Sequence, residues 1–401
     1  MKRSIGLLCC LILLFSILST PASAAGRWTH IIDVICINGA TIALREDGHV
    51  LYAGNPDYPA SREVSGWTDV EWIEAQGDSY LVGYRSDGRV YLAELNASFY
   101  DPEAYFNQQD VDDWTNVRQV EIVGDFCLGL RYDGDLYWVV YGEQAVDAAR
   151  AANSWPALAD VETDGYYAII GLTTDGTVLA TDPELLTNAG GYWGGGPTSA
   201  SDWKRVNRLY YSMDLFGVRS DGVAGMNRPG WDGVSSLYLG IDSMFGLRYD
   251  GTVAANFNEY FDTDERLQQV AAWRDIADLG FDGTMGYRYL PVGLKSDGTI
   301  AAVTYAYGSP YGEWDFRGWS NVQKLYSGTE YTFGLRADGS VLATGGEFES
   351  LSFLDTVSRW TGIRELYPAH GVYVDHVVGL RWDGTLVAAG DNSMGQCNVN
   401  S

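Results

Sequence analysis

Basic residues are scarce: 26 Lys and Arg stand against 53 Asp and Glu in 401 residues, a formal charge of −27. That deficit argues against nucleic acid as a partner, because gripping phosphates takes clustered Lys and Arg. It argues equally against docking on an anionic membrane surface. Cysteine is rare too, with five in all, and Cys9 and Cys10 fall in an apolar segment at the start. The other three, Cys36, Cys127 and Cys397, cannot all pair, so the chain is no disulfide-stapled scaffold. Each is expected to act as a small buried apolar residue. A bridge between Cys36 and Cys397 stays open, for a reason given below. The four histidines, His30, His49, His370 and His376, have no ligand spacing. There is no Gly-x-Ser-x-Gly, His-Glu-x-x-His, phosphate loop or Cys-x-x-Cys. No catalytic residue, metal or other cofactor is therefore expected.

Long apolar runs are absent after the first 25 residues, so the mature chain is not expected to span a membrane. Those 25 residues read as a secretory signal peptide. Met1-Lys2-Arg3 is a basic start, Ser4 to Thr20 is uncharged and apolar, and Pro21 to Ala25 supplies small residues in an Ala-x-Ala pattern. Cleavage leaves 26–401 as one secreted, extracellular domain, with 24 bases against 53 acids and a charge of −29. Hydrophobic residues, at 46%, are ample for a core, so disorder throughout is excluded.

What is present is one unit written nine times. Asp-Gly recurs at 47–48, 87–88, 133–134, 175–176, 221–222, 250–251, 297–298, 338–339 and 383–384. Each pair follows a Trp by 18 to 24 residues: Trp28, Trp67, Trp114, Trp155, Trp203, Trp231, Trp273, Trp319 and Trp360. Three and six residues after each Trp stands an apolar residue, from Ile31 and Val34 to Ile363 and Leu366. Successive Trp of the set average about 42 residues apart. Each unit reads as strand, tight turn, strand, because Gly takes φ > 0 without steric cost and Asp bonds locally to the backbone. A Gly two residues before the basic column recurs in eight units, with Ala43 in the first. It predicts close backbone approach among strands crowding an axis. The Trp segment adds a strand, and the stretch before the next Trp suggests a fourth. Ala145–Asn153 predicts a short helix.

Repeats of this length, each a small antiparallel sheet, predict an all-β fold, a single β-propeller of eight or nine small blades. Seven blades remain the alternative if some units sit outside the ring. The end of the chain, Gly395 to Val399, stands where a strand before the next Trp belongs. It is expected to complete the first blade and close the ring, bringing Cys397 near Cys36.

Gly-Leu-Arg-x-Asp-Gly-Thr-Leu at 379–386, followed by Ala-x-Gly-Asp-Asn-Ser-Met-Gly-Gln-Cys at 388–397, resembles the regulator of chromosome condensation repeat in its compact bacterial form. The likeness extends over residues 28–399 and implies a single-domain propeller, commonly of seven blades. The eukaryotic founder is a nuclear exchange factor that binds chromatin, a role at odds with a signal peptide and this charge. A secreted bacterial relative inhibits a β-lactamase through its propeller face, which suits a secreted binder.

The Asp column and the basic column (Arg45, Arg85, Arg131, Arg219, Arg248, Lys295, Arg336 and Arg381, with Thr173 the exception) recur once per unit and are expected to brace turns. Departures between units are more informative, because binding side chains concentrate on loops. Candidate ligand-binding residues are Tyr192 and Trp193, then Tyr305, Tyr307, Tyr311 and Trp314, on adaptable loops. Two acidic runs, Asp110, Asp112, Asp113 and Asp262, Asp264, Glu265, are consistent with Ca²⁺ ligands or with solvated loops. The expected function is a non-enzymatic, monomeric scaffold for an extracellular protein or glycan. The alternative is a carbohydrate-active hydrolase with paired carboxylates at the central channel.

Overall fold

The computed structural model describes residues 28–399 apart from 38, 78, 96–105, 165–166, 188–199, 201–202, 213, 220, 225–230, 240–242, 258–263, 285–287, 304–314, 329–330, 346–352 and 370–375. Among these residues, twenty-seven strands form nine three-stranded antiparallel sheets, each in sequence order. Blade one spans Ile31–Gly54, blade two Val70–Glu94, blade three Val117–Val140, blade four Leu158–Ala180 and blade five Val206–Ala224. Blade six spans Val234–Phe257, blade seven Ile276–Ala302, blade eight Val322–Gly345 and blade nine Ile363–Gly390. All nine units thus become blades, including the shortened fifth.

The middle strands explain why polar alternation is missing from the sequence. Phe126–Arg131 is buried at its first five positions and Ile169–Thr173 throughout. One set of side chains faces the preceding blade and the other the following blade, so both must be apolar. Leu81 joins Ile42 and Leu44 of blade one, whereas its neighbour Val82 joins Val117 and Val120 of blade three. The core is accordingly divided among the blade interfaces. The last interface joins blade nine to blade one, where Tyr367, Val378, Leu380 and Leu386 pack with Trp28, Ile31, Val34 and Ala43. The ring is closed: a β-propeller of nine blades.

Three expectations are corrected. Among the described residues, the connections after the third strands of blades one to four, six and eight carry short helices, among them Gln108–Val111, Asp264–Ala271 and Leu354–Val357, and no fourth strand. They pack on the third strand of their own blade and cover its edge. One of them, Glu143–Ala152, is the helix expected near 145–153, and it buries Ala145, Ala148, Ala149 and Ala152. Second, closure does not use strand exchange. Residues 391–399 are turns and coil, and they cap blade one with the buried side chains of Gln396 and Val399. Cys36 and Cys397 are free thiols there. Third, the repeated glycine does not mark backbone crowding at an axis. At all eight glycines of the column the atoms nearest to a built β-carbon belong to side chains and none to backbone. What covers it is a tryptophan: a β-carbon at Gly129 would lie 2.5 Å from the Trp114 ring, and one at Gly334 2.7 Å from Trp319. The Trp and Gly columns are therefore one packing device.

The blades are also stitched by backbone. In eight of the nine Asp-Gly turns the glycine carbonyl accepts from the first strand of the next blade; at the fifth, Gly233 N donates to Asp221 O instead, at 3.2 Å. Val70 N donates to Gly48 O at 3.1 Å, Val117 N to Gly88 O at 2.9 Å, and Ile363 N to Gly339 O at 3.0 Å. The same bond closes the ring, Ile31 N to Gly384 O at 3.0 Å. Just before that first strand the chain turns through a left-handed residue two after eight of the nine Trp, Ala157 being the exception. The φ angles are 58° at His30, 61° at Asp69, 62° at Asn116, 60° at Arg205, 61° at Asp275 and 57° at Asn321, with Gly233 and Gly362 filling the same place. Asp, Asn and Gly dominate because they tolerate this region.

Candidate binding surface

One face of the ring is built from the Asp-Gly turns. In blade one, Gly48 N donates to Arg45 O and Arg45 N to His49 O, both near 3 Å. This is a three-residue hairpin loop with glycine in the left-handed position. The Asp fixes it by accepting from the amide two residues on, as Asp87 Oδ1 does from Arg89 N at 3.0 Å and Asp383 Oδ1 from Thr385 N at 3.0 Å. In blades one, two, three and five the basic residue leans on the same carboxylate: Arg45 meets Asp47 at 2.6 Å, Arg85 Asp87 at 3.1 Å, Arg131 Asp133 at 2.9 Å and Arg219 Asp221 at 2.9 Å, whereas Arg248 and Arg336 donate to the carbonyls of Asp232 and Ser320. Thr173, the exception in sequence, does the same work by donating its hydroxyl to Asp175 at 2.5 Å. Hydroxyls at Thr252, Thr299 and Thr385 bond their Asp at 2.6 Å. Those bonds hold the Asp250, Asp297 and Asp383 carboxyls below the usual carboxylate range. The repeated charges thus serve the turns, as expected.

The residue between the basic column and the Asp is different. It is Glu46, Ser86, Thr174, Ser220, Ser296 and Ala337 in six blades, but Tyr132, Tyr249 and Trp382 in blades three, six and nine. These three side chains are 62%, 70% and 65% exposed. Their backbones are held: Tyr132 N donates to Asn116 O at 2.9 Å, Tyr249 N to Gly233 O at 3.0 Å and Trp382 N to Gly362 O at 3.1 Å. The rings therefore stand on rigid tips. Sequence reasoning passed over them because they sit inside the most regular motif of the chain. The signal available was the break in that column.

The six residues expected to bind ligand, Tyr192, Trp193, Tyr305, Tyr307, Tyr311 and Trp314, lie outside the described residues. So do His370, Asp262 and residues 1–25. Asp110 has a structural use, since it accepts from Asn107 N at 2.8 Å in a capping box.

A polar cavity of about 590 Å³ opens on the first strands of blades eight, nine, one and two, lined by Ile32, Asp33, Glu71, Lys324, Arg364 and Glu365, among others. A register shift after the first paired residue of every first strand pushes Ile32, Glu71 and Arg364 outward at equivalent places. Arg364 donates to Ile32 O at 3.0 Å, across the closing interface. Both oxygens of Glu365 are engaged, by Lys324 at 2.6 Å and by the Tyr326 hydroxyl at 2.7 Å. Tyr238 donates likewise to Asp278 at 2.9 Å between blades six and seven. Several acids of the inner strands are thus inter-blade struts.

Ring closure buries a polar cluster. His376 Nε2 lies 2.9 Å from Thr41 Oγ1, which donates to Gln396 O at 2.8 Å. His376 is fully buried, and burial lowers its pKa to about 4 while nearby Asp391 pulls the other way. Its folded value is therefore below the unfolded one of about 6.5. The neutral ring stabilises the fold fully above about pH 6.5, and this contribution disappears as pH falls toward 4. The expected loss is about 3 kcal/mol across that window. Urea denaturation of wild type and His376→Gln at stepped pH measures it: the wild type should lose stability between pH 6.5 and 4 relative to the variant. Parallel curves contradict the assignment.

No protein-family model matches the chain, and no curated protein matches it. Solved structures do. The computationally designed Ika8 protein is 13% identical with a TM-score of 0.40, covering 80% of this chain and 97% of that one. Yeast RCC1 (Prp20), solved bound to Kap60, is 13% identical with a TM-score of 0.34, covering 79% of this chain and 70% of that one. BamB from Moraxella catarrhalis is 14% identical with a TM-score of 0.36, covering 79% of this chain and 94% of that one.

Proposed function

We propose that the chain is a secreted, non-enzymatic binding scaffold that recognises an extracellular protein or glycan through aromatic side chains on the faces of the propeller. The observation that carries this is a division of labour between positions. Columns repeated in every blade are occupied by the turns and the Trp–Gly packing, whereas blade-specific aromatics stand free on rigid tips. Tyr167, between the first two strands of blade four on the opposite face, is a further exposed aromatic, at 59%. Rigid Tyr and Trp give large contact area at low entropic cost. The engaged oxygens of Glu365 favour a structural use of the cavity acids over hydrolysis. The test is to express the full chain, purify it from the medium, and screen it against extracellular proteins and a glycan array. Each bound glycan is then followed for reducing-end release. Selective capture without release supports a binder; release of reducing ends, or retention of the chain in the cell, overturns it.

A further inference from the structure

We propose that Tyr132, Tyr249 and Trp382 form three equivalent platforms for one neutral polysaccharide, which rests on the binding-scaffold reading and names its ligand class. Blades three, six and nine divide a nine-blade ring into thirds, so the platforms are evenly spaced around one face. At the other six tips the same position holds a small or polar residue, which is the ordinary choice for an exposed turn.

The isolation of each ring selects the ligand. A protein partner needs about 800 Å² of continuous surface on each side. One aromatic ring on a hairpin tip, three blades from the next, does not supply it. A pyranose ring matches a single aromatic in size, and its weakly positive C–H face complements the negative π face. Beside two of the platforms stands an Asp that the turn holds by Oδ1, Asp250 or Asp383, with Oδ2 placed to accept from sugar hydroxyls. The net charge of −27 disfavours acidic polymers and leaves neutral ones. A single platform binds weakly, but a polymer engaging two or three gains avidity because each later contact is intramolecular.

The experiment is native electrophoresis of the full chain, purified from the medium, through gels containing a soluble β-glucan, a mannan or a galactan. Retardation by at least one polymer is expected. Tyr132→Ala, Tyr249→Ala and Trp382→Ala should each weaken the apparent affinity roughly tenfold, and the triple variant should migrate as in a polymer-free gel. The thermal midpoint should not move, since all three side chains are exposed. Undiminished retardation of the triple variant overturns the platforms while leaving a glycan scaffold with its site elsewhere. Absence of retardation in every gel also overturns them, and capture of a protein in the screen above would then leave the scaffold standing. If the triple variant loses retardation together with its thermal midpoint, the residues are structural and the proposal fails.

Discussion

Gly129→Ala should destabilise the protein by about 3 kcal/mol, although it adds one methyl group in a strand. Backbone strain is not the cause, because Gly129 is absent from the residues with positive φ. The methyl carbon would sit 2.5 Å from two carbons of the Trp114 ring, well inside contact distance. Trp114 cannot step aside: it is 4% exposed and packed among Val111, Val117, Val120 and the blade-two residues Val82 and Val90. Relief therefore requires the interface between blades two and three to open. Denaturant unfolding of a double-mutant cycle separates this from a backbone requirement. In a Trp114→Ala background the same change should cost less than about 1 kcal/mol, because the obstructing ring is gone. Equal costs in the two backgrounds would falsify the Trp–Gly pairing. Blade one supplies the natural counterpart, with Ala43 in place of the glycine beside Trp28.

Removing residues 391–401 should cost about 4 kcal/mol. Val399 is fully buried against the blade nine–blade one interface, and losing it forfeits about 2 kcal/mol of apolar burial. Gln396 O is the acceptor for Thr41, and the Gln396 side chain bonds Asp391 at 2.9 Å. Without them a buried hydroxyl in contact with His376 loses its acceptor, at about 1–3 kcal/mol. A chain ending at Gly390 should unfold at markedly lower urea, whereas one ending at Val399 should match wild type. An unchanged midpoint for the shorter chain would show that the tail is dispensable for closure.

Much of the fold was legible because repetition reveals itself without any knowledge of contacts. Nine Trp, nine Asp-Gly pairs and the apolar columns between them set turn position and narrowed the blade number to eight or nine, with seven as the alternative; the nine sheets decide it. Roles that depend on a neighbour in space were not legible. The glycine column suggested crowding, but its neighbour is a tryptophan 15 residues away in Gly129 and 19 away in Gly379. The segment before each Trp looked like a fourth strand because both strand and short helix leave brief apolar signals, such as Phe106 and Val111, with no clear period. The left-handed residue two after eight of the nine Trp was hidden by its variety: His, Asp, Asn, Arg and Gly share a conformation there and no chemistry. Tyr132, Tyr249 and Trp382 escaped notice for the opposite reason, since the motif around them is so regular.

Native-state hydrogen exchange at the Ile31 amide tests the closed ring most directly. Its acceptor is Gly384 O, at the far end of the chain, and the equivalent amides of Val117 and Ile363 bond within consecutive blades. In a ring closed between blades nine and one, Ile31 should exchange as slowly as Val117 and Ile363, by opening with the global free energy. Exchange of Ile31 orders of magnitude faster, with the other two still protected, would mean an open arc of blades and would contradict the closed nine-bladed propeller.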